Sequence, residues 1–156
     1  MAARTPRPPP SPLEAHLGFW LRFVSNHVSM RFRQLLDQEG ISVAEWVALR
    51  TLLERPDASH AELIAALGVT KGAASKLISR LEDKGLAQRQ HAGAGARAQT
   101  LRLTARGRAS LPRLAALADD NDRHFFGHLG TQEREALMQA LQRLVRHHEL
   151  KIPPVE

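Results

Sequence analysis

The stretch GVTKGAASKLISRLEDKGL, residues 68–86, predicts a short helix with one apolar face and one basic face. Leu77, Ile78 and Leu81 recur at helical spacing, with Ala74 one turn earlier, and form a narrow inward face. The opposite side carries small and basic residues, namely Lys71, Gly72, Ser75, Lys76 and Ser79, with Arg80 flanking them. The acidic residues of this segment come in its last turn, and the basic face lacks the mixture of Glu and Lys typical of a surface helix. A face of this composition can approach a polyanion closely.

A second short helix is predicted immediately before the basic one, in SHAELIAALG, residues 59–68. It begins with a Ser-x-x-Glu capping box and ends at a glycine, a residue type that is common just past a helix. Two residues, Gly68 and Val69, separate it from Thr70, which is of the type that caps a helix start. Two short helices joined by so tight a turn are a helix-turn-helix candidate.

Longer helical patterns flank this pair of helices. Apolar residues recur at three- and four-residue spacing in residues 13–40, 41–56, 104–130 and 131–151. Gly40 is expected to follow the end of the first helix, and a capping box of Ser42 and Glu45 to begin the second. Thr131 is expected to cap the last helix. Pro112 lies inside the third pattern, where it should kink the helix or mark a break.

Two short strands are predicted after the basic helix. Residues 86–90 and 99–103 alternate apolar and polar side chains, and residues 91–98, HAGAGARA, form a small-residue loop between them. Together these segments predict a β-hairpin.

The composition limits the class of protein. The chain has 156 residues, no cysteine and a net charge of +6 at pH 7, with a sequence pI near 10.9. These values argue against disulfide frameworks and thiolate metal sites, and weakly favour a nucleic acid or anionic partner. Without an apolar run long enough to span a membrane, and with a Pro-rich start that does not resemble a signal peptide, the sequence predicts a cytoplasmic protein with no membrane partner.

The predicted fold is mainly α-helical with a small β-hairpin wing. We expect a disordered Pro-rich arm over 1–12, a helical dimerisation region over 13–40 and 105–150, and a winged helix-turn-helix lobe over 41–104. The apolar stripes of the long terminal helices exceed what a small winged core can cover, which favours a homodimer. Packing of these stripes on each other within one chain is the alternative.

The sequence resembles the MarR (multiple antibiotic resistance regulator) family of bacterial transcription factors. The resemblance is carried by residues 43–90 and by LRLTARGRA, residues 101–109. It implies a winged helix-turn-helix homodimer that binds pseudo-palindromic promoter DNA, and in many members a small molecule releases that DNA. Relatives usually have an Asp in the wing two residues before an Arg, and an aliphatic residue four positions after that Arg. Here Arg97 and Leu101 fit the pattern but Gly95 replaces the Asp, so we expect a mobile wing in the free protein.

The basic helix is predicted to enter a major groove. Gly72 would allow close approach to the bases, while Lys71 and Lys76 would reach phosphates or guanine. Ser75 and Thr70 could donate hydrogen bonds to DNA, although Thr70 could instead serve only as the helix cap. For Lys71, Ser75 and Lys76 the alternative is a solvated basic face. Arg80 could contact DNA or pair with the acidic residues of the last turn.

Further DNA contacts are predicted outside the basic helix. Ser59 and His60 begin the preceding helix, whose free N–H groups could bind a phosphate, with plain capping as the alternative. Arg97 would insert into a minor groove. Arg89 and Arg102, on the two strands, are expected to contact phosphates or to be exposed strand residues.

Aromatic and basic residues on the first two long helices suggest an effector pocket. Trp20, His16, His27, Trp46 and Arg50 could bind a small aromatic or anionic molecule, with core or interface packing as the stronger alternative. No metal or other cofactor is predicted. His124 and His128 share a helix face, but a solvent-exposed pair explains this spacing better than a metal site.

These observations predict a dimeric, sequence-specific DNA-binding transcriptional regulator, a repressor released by a small effector. The alternative is a winged-helix module that binds protein or RNA without an operator. An enzyme is not predicted, since we find no nucleophile–base arrangement and no Gly-rich phosphate loop.

Overall fold

The computed structural model describes residues 9–91 and 99–151 of the chain. This part of the chain contains a short 3-10 helix, six α-helices and one three-stranded sheet. In chain order the elements are the 3-10 helix Leu13–Ala15, α1 Leu17–Gln38, α2 Val43–Glu54, β1 Ala58–Ser59, α3 His60–Leu67, α4 Lys71–Asp83, β2 Ala87–His91, β3 Gln99–Leu103, α5 Ala105–Phe126 and α6 Thr131–His147. The predicted mainly helical, winged helix-turn-helix fold is confirmed.

Local capping explains where α2 and α3 begin. The Ser42 Oγ accepts a hydrogen bond from the Glu45 N–H at 3.2 Å, and the Ser42 N–H donates to the Glu45 carboxylate at 2.8 Å. Ser59 and Glu62 make the same two bonds, at 3.2 and 2.7 Å. Gly40, in the left-handed conformation, follows the end of α1. Both predicted capping boxes and the end of α1 are therefore confirmed.

The sheet is antiparallel, with strand order β1-β3-β2. The predicted hairpin corresponds to β2 and β3, in which Arg89 is opposite Leu101. Strand β1 was not predicted, because two residues are too few to show an alternating pattern. It pairs Ala58 with Leu101 and so joins the start of α3 to the wing. The tip of the hairpin, residues 92–98, lies outside the described residues.

The hydrophobic core lies between α2, α3, α4, the sheet and the first half of α5. Its most deeply buried large apolar side chains are Leu36, Leu49, Leu52, Leu63, Leu67, Leu81, Leu101, Leu103 and Leu114. Gly107 lets α5 pack closely against the backbone of Leu86, the residue before β2. A Cβ at this position would lie 2.0 Å from the carbonyl oxygen of Leu86, so α5 can pack here only with glycine.

Two expectations about the last helices change. The predicted break at Pro112 is wrong, because α5 runs unbroken through this residue, whereas the predicted kink stays a prediction. Pro112 is exposed, so water can hydrate the Arg108 carbonyl that the proline leaves without its usual helical partner. Thr131 does not cap α6. Gly130 is the N-cap, and its N–H donates to the Glu133 carboxylate at 2.8 Å, which leaves Thr131 as the first helical residue.

Helices α1 and α5 pack against each other through polar contacts as well as apolar ones. Asn121 is buried, and its amide donates to the Val28 carbonyl at 3.2 Å. Arg31 donates to the Asn121 Oδ1 at 3.2 Å and to Asp120 at 2.9 Å.

No helix within residues 9–91 and 99–151 combines the length and apolar character that crossing a bilayer requires.

Candidate nucleic-acid interface

Helix α4 is fixed by its apolar face and presents its basic face to solvent. Ala74, Leu77, Ile78 and Leu81 are buried in the core. The residues predicted to contact DNA lie on the outer side of the helix. Of these, Lys71, Gly72, Lys76 and Arg80 are exposed, and Ser75 is half-buried. A Cβ on Gly72 would have nothing within 4 Å, so packing within the chain does not require glycine at this position.

The cations of this face are not neutralised within the described part of the chain. None of the ion pairs found there involves Lys71, Lys76 or Arg80. Arg80 therefore does not form the alternative pair with an acidic residue of the last turn. Glu82 in that turn instead pairs with Arg89 on β2 and also accepts a bond from the Arg89 N–H at 3.0 Å. The positive potential of the α4 face is consequently open to an external anion.

Thr70 is the N-cap of α4. Its Oγ1 accepts a hydrogen bond from the Ala73 N–H at 3.3 Å, which confirms the capping prediction. The residue is exposed, and a hydroxyl that accepts one bond can still donate another. Contact between Thr70 and DNA stays a prediction that is compatible with this geometry.

The start of α3 is less open to a phosphate than the sequence suggested. The Ser59 hydroxyl and N–H are both engaged with Glu62. The bonds from Ser59 also hold the pKa of the Glu62 carboxyl below its ordinary value, so a negative charge occupies this helix terminus. The Nε2 atom of His60 is buried and has no hydrogen-bond partner among the described residues. Contact between His60 and DNA stays a prediction, and in this conformation the buried Nε2 atom is not available for it.

The wing strands are tied to the helix-turn-helix by two ion pairs. Arg102 on β3 is hydrogen bonded to Asp57, which precedes β1. Arg89 on β2 is held by Glu82 at the end of α4. Both arginines therefore have roles inside the lobe, which the sequence had not revealed. Arg97 and Gly95 lie outside the described residues.

The residues predicted to form an effector pocket fall into two groups within one chain. On α1, the Trp20 indole donates to the Glu14 carbonyl at 2.9 Å, and the His27 ring lies 4.6 Å from that of Phe23. His16 occupies the N-cap position of α1 without a side-chain capping hydrogen bond, and it is exposed. In the lobe, Trp46 packs edge-on against Phe32, and the Arg50 guanidinium lies 5.7 Å from the Trp46 ring. No ring–ring contact between described residues joins the two groups.

A small pocket occurs elsewhere, where the end of α4 meets the start of α5. Its volume is about 200 Å³. The pocket is lined by Glu39, Gly40, Ile41, Lys84, Leu86, Arg106, Ser110, Arg113 and Leu114.

Among the residues in the structure, no three His, Asp or Glu side chains are grouped as a metal site would require. His124 and His128 are exposed on α5 and just beyond its end.

Comparisons with known proteins agree with this architecture. A family model described as "MarR family" matches residues 39–98. The HTH-type transcriptional repressor Rv2887 of Mycobacterium tuberculosis is 30% identical over 131 residues, which cover 84% of this chain and 94% of the relative. The transcriptional regulator HosA of Escherichia coli is 29% identical over 129 residues, or 77% of this chain and 96% of HosA.

Solved structures show the same fold. BpsR of Bordetella bronchiseptica, whose DNA binding is regulated by 6-hydroxynicotinic acid, superposes with a TM-score of 0.73 at 24% identity, covering 87% of this chain and 97% of BpsR. A mutant MarR from E. coli, in complex with operator DNA, superposes with a TM-score of 0.71 at 22% identity, covering 83% of this chain and 93% of the other.

Proposed function

The chain belongs to the MarR family of transcriptional regulators, and from this premise we propose that it acts as a homodimeric repressor bound to pseudo-palindromic operator DNA. The proposal places two α4 helices in successive major grooves, about 34 Å apart along the duplex. Since its target would be chromosomal DNA, the protein would work in the cytoplasm.

The observation that carries this proposal is the unneutralised basic face of α4. Lys71 and Lys76 would reach phosphates or the acceptor edge of guanine, and Arg80 would contact the backbone farther along the groove. Gly72 would let the first turn approach the bases, and Ser75 and Thr70 would donate hydrogen bonds. Arg97 would enter the minor groove from the wing. Ser59 and His60 are weaker candidates for phosphate contact, because Glu62 occupies the start of α3.

Dimerisation is supported by apolar side chains that the chain itself leaves exposed. They lie on α1 and α6, and they include Leu17, Trp20, Leu21, Phe23, Val24, Met30, Leu137, Met138, Leu141, Leu144 and Val145. Almost every residue of α6 is exposed, although one side of this helix is apolar. Burial of these two stripes against a second copy would give the dimerisation region of residues 13–40 and 105–150, with residues 41–104 as the DNA-binding lobe.

We further propose that a small aromatic or anionic effector releases the DNA. This is supported by BpsR, a structural neighbour whose DNA binding responds to 6-hydroxynicotinic acid. Trp20, His16 and His27 belong to the dimerisation helix, whereas Trp46 and Arg50 belong to the lobe. A pocket containing both groups would therefore lie between the dimerisation helices and the DNA-binding lobe.

The test is selection of duplex fragments from genomic DNA by the purified protein, followed by footprinting. The proposal expects a protected site with two related half-sites. Binding only to RNA or to a protein would support the alternative of a winged-helix interaction module instead, and the absence of any protected duplex would refute the proposed function.

A further inference from the structure

Lys84, immediately after α4, joins three elements of the fold. Its Nζ donates to both carboxylate oxygens of Glu45 at 2.7 Å and to the Gly40 carbonyl at 2.7 Å. Glu45 lies in the first turn of α2, and Gly40 lies in the turn that follows α1. The junction therefore links the end of the basic helix directly to the end of a helix of the dimerisation region.

The junction is buried on the carboxylate side. The Glu45 side chain is 2% exposed and that of Lys84 is 37% exposed. The Glu45 carboxylate also accepts the Ser42 N–H, so its bonding capacity is largely used within this site. A buried ion pair adds little net stability compared with apolar packing, but removal of one partner leaves a buried charge uncompensated. Such a pair favours one arrangement of the elements that it joins.

We propose that the Lys84–Glu45 pair is a positioning contact that sets the spacing between the two half-sites of the operator. The proposal rests on the proposed function and assigns to these two residues a role within it. They would act on DNA only through the orientation of α4 relative to α1.

The geometry of α4 gives the size of the effect. Lys71 and Lys84 are 13 positions apart, so they lie about 20 Å from each other along the helix axis. A tilt of about 10° at Lys84 would displace the Lys71 end by about 3.5 Å, which is close to the rise of one base pair, about 3.4 Å. Small changes at the junction therefore suffice to change the preferred spacing.

Lys84 itself is not placed as a phosphate ligand. Its three donor positions are directed at acceptors within the chain, and it lies at the end of α4 opposite to Lys71 and Gly72. Substitution of Lys84 should not change the number of DNA phosphates that the protein neutralises. The salt dependence of binding should therefore also stay the same.

The experiment compares the wild type with Lys84→Met and Glu45→Gln on three duplexes. The first is a duplex selected from a random pool by the wild-type protein, and the others have one base pair inserted or removed between the half-sites. We expect the wild type to prefer the selected spacing by about tenfold or more, and both variants to reduce this preference to about threefold or less. The salt dependence should not change.

Arg123→Met serves as the matched control, because it breaks an exposed pair with Asp120 on α5, and it should keep the wild-type preference. Lys84→Arg retains the positive charge and should keep most of the preference. Glu45→Gln retains an acceptor for the Ser42 N–H, so it provides a folded test protein if Lys84→Met does not fold.

A wild-type preference retained in Glu45→Gln or in folded Lys84→Met would overturn the proposal, even if binding to all three duplexes weakened. A wild type that binds the three spacings equally would also overturn it. A shallower salt dependence in Lys84→Met would identify Lys84 as a phosphate ligand and contradict the positioning role. Failure of the wild type to select any duplex would instead refute the proposed function.

Discussion

Arg102 on β3 donates two hydrogen bonds to Asp57, from Nε to Oδ1 at 2.7 Å and from Nη2 to Oδ2 at 2.6 Å. Asp57 adopts a left-handed backbone conformation, with φ at 65°, in the turn before β1. A bidentate pair of this kind fixes orientation as well as distance. It therefore ties β3, the central strand of the sheet, to the segment that leads into α3. This link does not involve residues 92–98 of the hairpin.

The first prediction concerns pH and this pair. The hydrogen bonds from Arg102 hold the pKa of Asp57 below its ordinary value. A carboxyl with a lowered folded-state pKa stabilises the fold above its unfolded pKa, about 3.9, and this contribution is lost as pH falls through the folded value. Asp57→Asn should therefore lose less stability than the wild type between neutral pH and about pH 2.

Urea unfolding at a series of pH values measures this difference. Arg102→Met removes the other partner of the same pair, so it should also reduce the pH dependence of stability. The double variant, Asp57→Asn with Arg102→Met, should show little further reduction. An Asp57→Asn variant with the full wild-type pH dependence would show that the pair does not contribute to acid sensitivity.

The second prediction separates folding from DNA binding at Gly72. A Cβ there meets nothing within 4 Å in the free chain, so Gly72→Ala should stabilise the fold by up to about 0.5–1 kcal/mol. If the first turn of α4 lies against the bases, the added methyl group should weaken duplex binding by about 1–3 kcal/mol. Thermal unfolding and fluorescence anisotropy measure the two effects.

Gly18 offers a matched control for this prediction. It is the second residue of α1, as Gly72 is the second residue of α4, and it too has nothing within 4 Å of its added Cβ. Gly18→Ala should be stabilising without weakening DNA binding. Equal DNA affinity of Gly72→Ala and the wild type would mean that this turn does not approach the bases.

The third prediction concerns the apolar side of α6. Leu144 is 47% exposed, and within the described chain it contributes little to the core. Leu144→Glu should weaken self-association by at least about 2 kcal/mol while the chain remains folded. Sedimentation should detect monomers at micromolar concentration, and operator binding should fall with the dimer.

Gln139→Glu introduces the same charge on the opposite side of α6 and should leave the dimer intact. A Leu144→Glu variant that remains fully dimeric would show that α6 is not part of the interface. A wild-type protein that is monomeric at working concentration would contradict the dimer itself.

The parts of the fold that could be predicted from the sequence are those determined locally. Helix α4 was predicted because the spacing of its apolar residues and the capping residue Thr70 lie within one short segment. The capping boxes of α2 and α3 involve residues three positions apart. In each case the interaction that defines the element is visible in neighbouring letters of the sequence.

The contacts that the sequence did not reveal join distant segments. Asp57 and Arg102 are 45 residues apart, and Glu45 and Lys84 are 39 residues apart. Nothing in either local pattern distinguishes these side chains from solvated surface charges. The two-residue strand β1 was missed for the same reason, because it is defined only by its pairing with the distant strand β3. Glu62 was predicted as a capping residue, but its effect on a phosphate at the start of α3 became evident only with the geometry.

The fourth prediction tests the phosphate contact of Lys76. Lys76 is exposed on α4, and each homodimer carries two copies of it. Lys76→Ala should therefore weaken binding to all duplexes and reduce the steepness of log affinity against log salt by about 2. Lys151→Ala removes an exposed lysine outside the predicted DNA-binding lobe and should change neither quantity. Unchanged affinity and slope in Lys76→Ala would mean that the wrong face of α4 has been assigned to the groove.

The most direct test of the central claim is the salt dependence of the wild-type protein on a selected duplex, measured by fluorescence anisotropy between 50 and 200 mM salt. A dimer that places two basic α4 faces against phosphates should lose affinity by about a thousandfold or more over this range. An affinity that stays nearly constant would show that the α4 face does not neutralise DNA phosphates, and would contradict the assignment of this face as the DNA-binding surface.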